Sequence, residues 1–205
     1  MTEMLNAKRV FHENIRQANE LGGLYDHLTA TVAIQDQFND LLRSQIVYAV
    51  SAFDKLMHDL IRIGMVEIFL GNRATTPKYQ NEAVPIQYLS QLLPGSAPPP
   101  EVRFTEIIRE RHSALSFQDP SKIADGLALI WEHNQKWQQI AQGLGVNDSA
   151  AKVKLKLIIT RRNAIVHEAD LNPVTNTKQT ITRAEAMDSS DFLLALGNRI
   201  CELVI

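Results

Sequence analysis

Apolar residues recur every three to four positions along most of the chain, and no run alternates convincingly with a period of two. One face of an α-helix returns at that spacing, so the pattern predicts helices rather than strands. Residues 3–28 read as a first helix, weakened at Gly22-Gly23. Residues 34–70 read as one long helix or two joined ones, ending at Gly71-Asn72, a pair suited to a helix C-terminus. Prolines then punctuate the chain. Pro77, Pro85, Pro94, Pro98, Pro99 and Pro100 crowd one segment, and only Pro120 and Pro173 lie elsewhere. Residues 72–100 are therefore predicted to be irregular, with one short helix at 85–93. Further helices are predicted at 101–117, from the Asp119-Pro120 cap to about Gln142, and from Asn147 or Asp148 to His167 or Glu168. Gly143 and Gly145 separate the last two. Thr182 and Glu185 have the spacing of a capping box and open a final helix to Ile205. Residues 171–181 read as loop, with the KQTIT stretch a weak strand alternative. Each flank of the Pro-rich segment is too thin to bury its own apolar faces. The prediction is thus an all-α fold, a single helical domain over 1–205 with 72–100 as an irregular Pro-rich insertion.

Composition narrows the classes. The chain has 205 residues, 21 Lys+Arg against 23 Asp+Glu, a formal charge of -2 and one cysteine. That excludes a disulfide framework, a Cys-rich zinc site and a globally basic nucleic-acid binder. The N-terminal stretch mixes charges with apolar residues and has no signal-peptide core. The longest uncharged apolar run, SQIVYAVSAF from Ser44 to Phe53, is about half of a membrane span. The expectation is a cytoplasmic protein that does not enter a membrane.

One predicted helix carries a contradiction. In KVKLKLIITRRNAIVHEAD, from Lys152 to Asp170, residues Leu155, Ile158, Ile159, Ile165 and Val166 all project within about 60° of Arg162. Arg162 therefore occupies the centre of the most apolar face, and a buried guanidinium is costly unless paired. A second stripe of Lys156, Thr160, Asn163 and His167 lies about 100° to 160° round. Arg162 and His167 are about 140° apart and do not point the same way from a straight helix. The long second helix offers a partner of opposite sign. Asp54 falls inside its apolar stripe of Ile46, Val50, Phe53, Met57 and Ile61, so an Asp54–Arg162 pair would resolve both misplaced charges. Lys152, Lys154, Lys156, Arg161 and Arg162 also form a run free of acids, which reads either as a solvated face or as a phosphate-binding edge.

Arg162-Asn163-Ala164-Ile165-Val166-His167 resembles the R-x(4–6)-H motif of the HEPN superfamily, with the polar Asn163 directly after the arginine as in its commonest form. The segment SQIVYAVSAFDKLMHDLI resembles the matching helix of HEPN groups linked to phage defence and RNA processing. The resemblance spans about residues 34–205, with the first helix and the 72–100 insertion outside it. It implies a helical bundle forming a homodimer, with the two motifs facing a shared cleft. It implies a metal-independent endoribonuclease without cofactor, acting on RNA in phage defence, a toxin role or a stress response, with an antitoxin or other protein as a further partner. Carried onto this chain, Arg162 would hold the scissile phosphate and His167 would act as general acid/base. Asn163 would orient His167, and Asp54 would be the acidic support. Arg161, which has no family role, and Lys156 are candidates for substrate binding from the basic run.

Two other readings fit the same residues. A non-catalytic HEPN-like module would use these helices to dimerise and to bind RNA, a nucleotide or a protein partner. In a third, Arg162 and Asp54 are a structural ion pair and nothing more. The remaining candidates are weaker. His112 and His133 fall on mixed faces that read as solvated, as do His12, His27 and His58. Trp131 and Trp137 read as core or interface anchors and Cys201 as a buried small hydrophobe. No Walker loop, G-x-G-x-x-G, H-E-x-x-H or G-x-S-x-G is present.

Overall fold

A computed structural model describes residues 3–32 and 38–205. Its helices are α1 (Glu3–Thr31), α2 (Asn39–Phe69), α3 (Pro77–Gln80), α4 (Pro100–His112), α5 (Pro120–Leu127), α6 (Lys136–Gly143), α7 (Asp148–His167) and α8 (Arg183–Val204), with a 3-10 helix at Ile86–Leu92 between α3 and α4. The fold is all-α, as the periodicity predicts. Among the described residues no helix is long and apolar enough to cross a membrane. The predicted start of the second helix at residue 34 lies outside the described residues.

Three long helices make the centre. α1 buries Met4, Ala7, Phe11, Ile15, Ala18 and Gly22, a stripe spaced three or four apart. It lies against α2, and both lie against α8, which buries Leu193, Leu196, Gly197 and Ile200. Small residues set the spacing. A Cβ at Gly197 would come within 2.5 Å of the Phe11 ring, and one at Gly22 within 2.5 Å of Gln45 Oε1. The glycines expected to weaken α1 are thus tolerated inside it; Gly22 serves the packing. One hydrophobic cluster runs continuously from Met4 through α2 and α4–α7 to Val204, so both flanks of the Pro-rich insertion share a core.

Local chemistry fixes most helix ends. The Thr182 hydroxyl accepts the Glu185 N–H and the Glu185 carboxylate accepts the Thr182 N–H, the capping box the sequence predicts. Asn147, rather than Asp148, caps α7 by accepting the Ala150 N–H at 2.7 Å. Asp119 caps α5 with Pro120 at its first position. Gly71, at φ 75°, ends α2.

Tertiary contacts overrule the pattern in two places. The predicted helix from Pro120 to about Gln142 is two helices, α5 and α6. The Thr76 hydroxyl lies 2.9 Å from Ala128 O and 3.1 Å from Leu129 O, and so engages carbonyls that a continued helix would need. Leu129 and Ile130 turn into the core, and the Trp137 indole N–H donates to Pro120 O at 2.8 Å, folding α6 back on α5. The helix predicted to reach 117 ends at His112, because Asp54 pulls in the backbone of Phe117. The KQTIT stretch forms no strand; an isolated bridge joins Leu171 and Lys178, and Ile181 turns into a small cluster with Leu42 and Ile46. The short helix expected at 85–93 is the 3-10 helix, held to α4 by Tyr88 OH donating to Glu110.

Candidate functional site

The motif helix leaves the core before it ends. α7 buries Ala151, Leu155, Ile158 and Ile159. Beyond Ile159 it overhangs: Ile165 is half-buried against the small cluster, and Val166 is exposed. Arg162 sits where the apolar face parts from the core, so it is half-buried instead of enclosed. Its Nε is buried without a hydrogen-bond partner, and its Nη1 donates to Asn163 Oδ1 at 3.0 Å.

The expected Asp54–Arg162 pair is not made. The Asp54 carboxylate accepts the Phe117 backbone N–H at 2.6 Å and the Gln118 side-chain amide at 3.3 Å. A half-buried carboxylate needs donors, and here the loop after α4 supplies them before any cation does. Asp54 therefore acts behind the site, pinning the 116–119 loop. The reading of Arg162 and Asp54 as a structural ion pair falls with it.

Three cations of the basic run are paired with acids that lie outside the run. Lys152 pairs with Asp148 at 2.7 Å, Lys154 with Asp188 at 2.7 Å and Arg161 with Asp170 at 2.9 Å. Arg161 also reaches Gln179 Oε1 and Thr180 O, so three hydrogen bonds hold its guanidinium against the protein. Neither Lys156 nor Arg162 makes a direct ion pair among the described residues, although the Lys156 charge acts on the Asp119 carboxylate. Lys156 is exposed and lines an open groove of about 460 Å³ together with Thr160 and Asn163 of α7. Across the groove lie Gln118, Asp119 and Lys122. Three members of the polar stripe thus share one groove. His167, the fourth, is exposed at the end of α7, without a hydrogen bond among the described residues and without one to Arg162.

Sequence reasoning missed what holds that helix end. Just past His167, Ala169 and Asp170 adopt φ of 51° and 58°, a left-handed conformation that Asp tolerates better than Ala. Asp170 is 0% exposed, and its Oδ2 accepts Arg43 Nε at 2.6 Å and Arg161 Nη2 at 2.9 Å. Its backbone N–H donates to Ala164 O at 2.8 Å. Arg43, 6% exposed on α2, also donates to Gln179 O at 2.6 Å. The clamp ties α2, the end of α7 and the 171–181 loop together. The signal was present: Arg43 precedes Ile46 and Val50 on the inner stripe of α2.

Other candidates resolve simply. Cys201 lies in the core, where burial pushes its thiol up to about 11. Trp137 is buried. His133 accepts the Gln135 N–H and stacks on Trp131. His112, expected on a solvated face, is buried. Among the described residues no group of three or more His, Cys, Asp or Glu side chains is placed to hold a metal ion.

Compared with known families, residues 12–205 match the model described as RiboL-PSP-HEPN. The chain belongs to the RiboL-PSP-HEPN family. The match extends further than the resemblance read from the sequence, since most of α1 and the whole 72–100 insertion of this RiboL-PSP-HEPN chain fall within it. Neither the curated proteins nor the solved structures contain a match.

Proposed function

We propose that this RiboL-PSP-HEPN protein is a metal-independent endoribonuclease that cleaves RNA through attack by the ribose 2′-OH. The observation that carries the reading is Arg162. On a helix whose neighbouring cations are paired with acids, it keeps a half-buried guanidinium with no acid, bonded only to Asn163. A half-buried cation whose buried Nε has no partner is costly, and an anionic ligand would relieve that cost.

In this reading the phosphate of the scissile bond sits on the Arg162 fork. His167 takes the proton from the 2′-OH as O2′ attacks phosphorus. The imidazolium so formed passes that proton to the leaving 5′-oxygen, giving a 2′,3′-cyclic phosphate and a 5′-hydroxyl. Negative charge gathering on the phosphorane oxygens is held by the fixed arginine without a metal. Asn163, bonded to Arg162, orients the pair. Lys156 guides the strand along the groove, a role that Arg161, locked in its clamp, does not share.

A homodimer completes the reading. Arg162 and His167 project about 140° apart on one helix, and a second copy of α7 would bring the complementary residue to each. Val153 and Leu157 are 53% and 65% exposed beside the polar stripe, an apolar surface suited to such a partner. The biological setting implied by the HEPN resemblance is phage defence, a toxin role or stress response in the cytoplasm, with an antitoxin-like protein as restraint.

Arg162→Ala should lower kcat/KM on RNA by about 10²–10³-fold, the cost of removing one preorganised charge-stabilising group. Arg162→Lys should recover part of the loss, since the charge remains but the bidentate fork does not. Single-turnover cleavage of end-labelled RNA reads both. Wild-type rates in Arg162→Ala would remove this residue from the chemistry.

A further inference from the structure

A second cavity, of about 350 Å³, borders the α7 groove, with Ser116 and Lys122 lining both. Its volume is at the lower end of the roughly 300–1,000 Å³ of small-ligand sites. The Pro-rich insertion helps to build it: Lys78 of α3 and the following Glu82 form one wall, α4 and α5 the others. Leu115, Phe117 and Leu129 give an apolar lining that includes an aromatic ring. His112, at the end of α4, also lines it. His112 as a whole is 7% exposed, and its Nδ1 is buried without a hydrogen-bond partner.

The charges around the cavity are arranged asymmetrically. Lys78 is paired with Asp125 at 3.0 Å and Arg111 with Glu82 at 2.8 Å. Lys122 is exposed and makes no ion pair among the described residues. Lys122 and Ser116 line both this cavity and the groove beside Asn163 and Lys156. The two spaces therefore meet at one unpaired cation.

Burial pushes the His112 imidazole below its usual value. The Glu82 charge opposes that shift, and His58 and Arg111 add to it. His112 is then a neutral ring at neutral pH, able to donate at one nitrogen and accept at the other. A cavity whose exposed lining is mainly apolar, with such a ring in its wall and the unpaired Lys122 cation on its border, suits one chemical shape. It is an unstacked nucleobase, read along its edge, with its phosphate outside.

We infer that this cavity takes the base of one nucleotide of an RNA strand lying in the α7 groove, with Lys122 on the connecting phosphate, His112 on the base edge and Phe117 against the base. The inference rests on reading the groove as the RNA track, and it gives the Pro-rich insertion a role as a wall of the base pocket. A base held there would set which phosphate reaches Arg162, and so would give the enzyme a sequence preference at a fixed offset from the cut.

The test is a titration that needs no cleavage. The full-length His167→Ala protein is titrated to millimolar concentration with each of the four nucleoside 5′-monophosphates and, separately, with inorganic phosphate, following the His112 ring resonances by NMR. At least one nucleotide should bind saturably and shift them, with inorganic phosphate far weaker. Leu115→Trp fills the mouth from an exposed position and should weaken that nucleotide by about tenfold or more, as should Lys122→Ala. A milder His112→Asn should change which base is preferred. The inference is overturned if no nucleotide moves the His112 signals, if Leu115→Trp binds as well as the parent, or if phosphate alone binds equally. Nucleotide binding here with no RNA cleavage by the wild type would keep the pocket and sink the nuclease reading. Cleavage with no nucleotide in the cavity would do the reverse.

Discussion

His167→Ala should reduce RNA cleavage by about 10²–10⁴-fold, the range for losing a positioned general acid/base. The fold should not notice. The His167 side chain is exposed and makes no hydrogen bond among the described residues, and substitutions at such positions usually change stability by less than about 0.5 kcal/mol. Cleavage of end-labelled RNA and a urea midpoint, measured on the same preparation, separate the two effects. RNA binding should persist, because the cations that meet the backbone, Arg162 and Lys156, are untouched. If wild type and variant leave several RNAs equally intact while both bind them, the protein is a binding module of HEPN type.

Asp170→Asn should cost about 3–5 kcal/mol of folding stability, the usual penalty for removing one partner of a buried ion pair. Arg43 is nearly as buried as Asp170; its Nη1 keeps Asp40 at 3.1 Å, but that carboxylate is exposed and well screened, so the buried Nε loses its close carboxylate. Asparagine is the informative replacement. It tolerates the left-handed backbone at φ 58°, so the loss reports the charge and not the conformation. Urea denaturation should show the midpoint falling with little change in slope. An unchanged midpoint would mean that the clamp is incidental. In a variant that still folds, cleavage should fall as well, since the clamp fixes the chain three residues after His167.

The sequence carried the frame of this molecule because its long helices announce themselves. The stripe from Met4 to Gly22 in α1, the Thr182–Glu185 box and the Asn147 cap are local signals, decided within one turn of chain. The break between α5 and α6 is not local. It depends on Thr76, about fifty residues upstream, reaching the carbonyls of Ala128 and Leu129. Charge bookkeeping failed for the same reason. The run from Lys152 to Arg162 has no acid within it, yet Asp188 and Asp170 arrive from the next helix and the intervening loop.

Asp54 shows the limit in a single residue. Its position on the inner stripe of α2 correctly marked a carboxylate in need of partners, but nothing in the pattern distinguished a guanidinium from a backbone N–H. Two signals were legible and went unread. Arg43 shares the inner stripe of α2, and His112 follows Phe104 and Ile108 at four-residue spacing on the buried face of α4. Both are polar residues at core positions, where burial forces a structural or chemical purpose.

The most direct measurement of the central claim is the chemistry of the cut ends. Wild-type protein is incubated with RNA in EDTA, and the product termini are identified by mass spectrometry. The account predicts cleavage that survives the chelator, with 2′,3′-cyclic phosphate on one fragment and a 5′-hydroxyl on the other. RNA left intact under these conditions, or fragments ending in 3′-hydroxyl and 5′-phosphate, would contradict it.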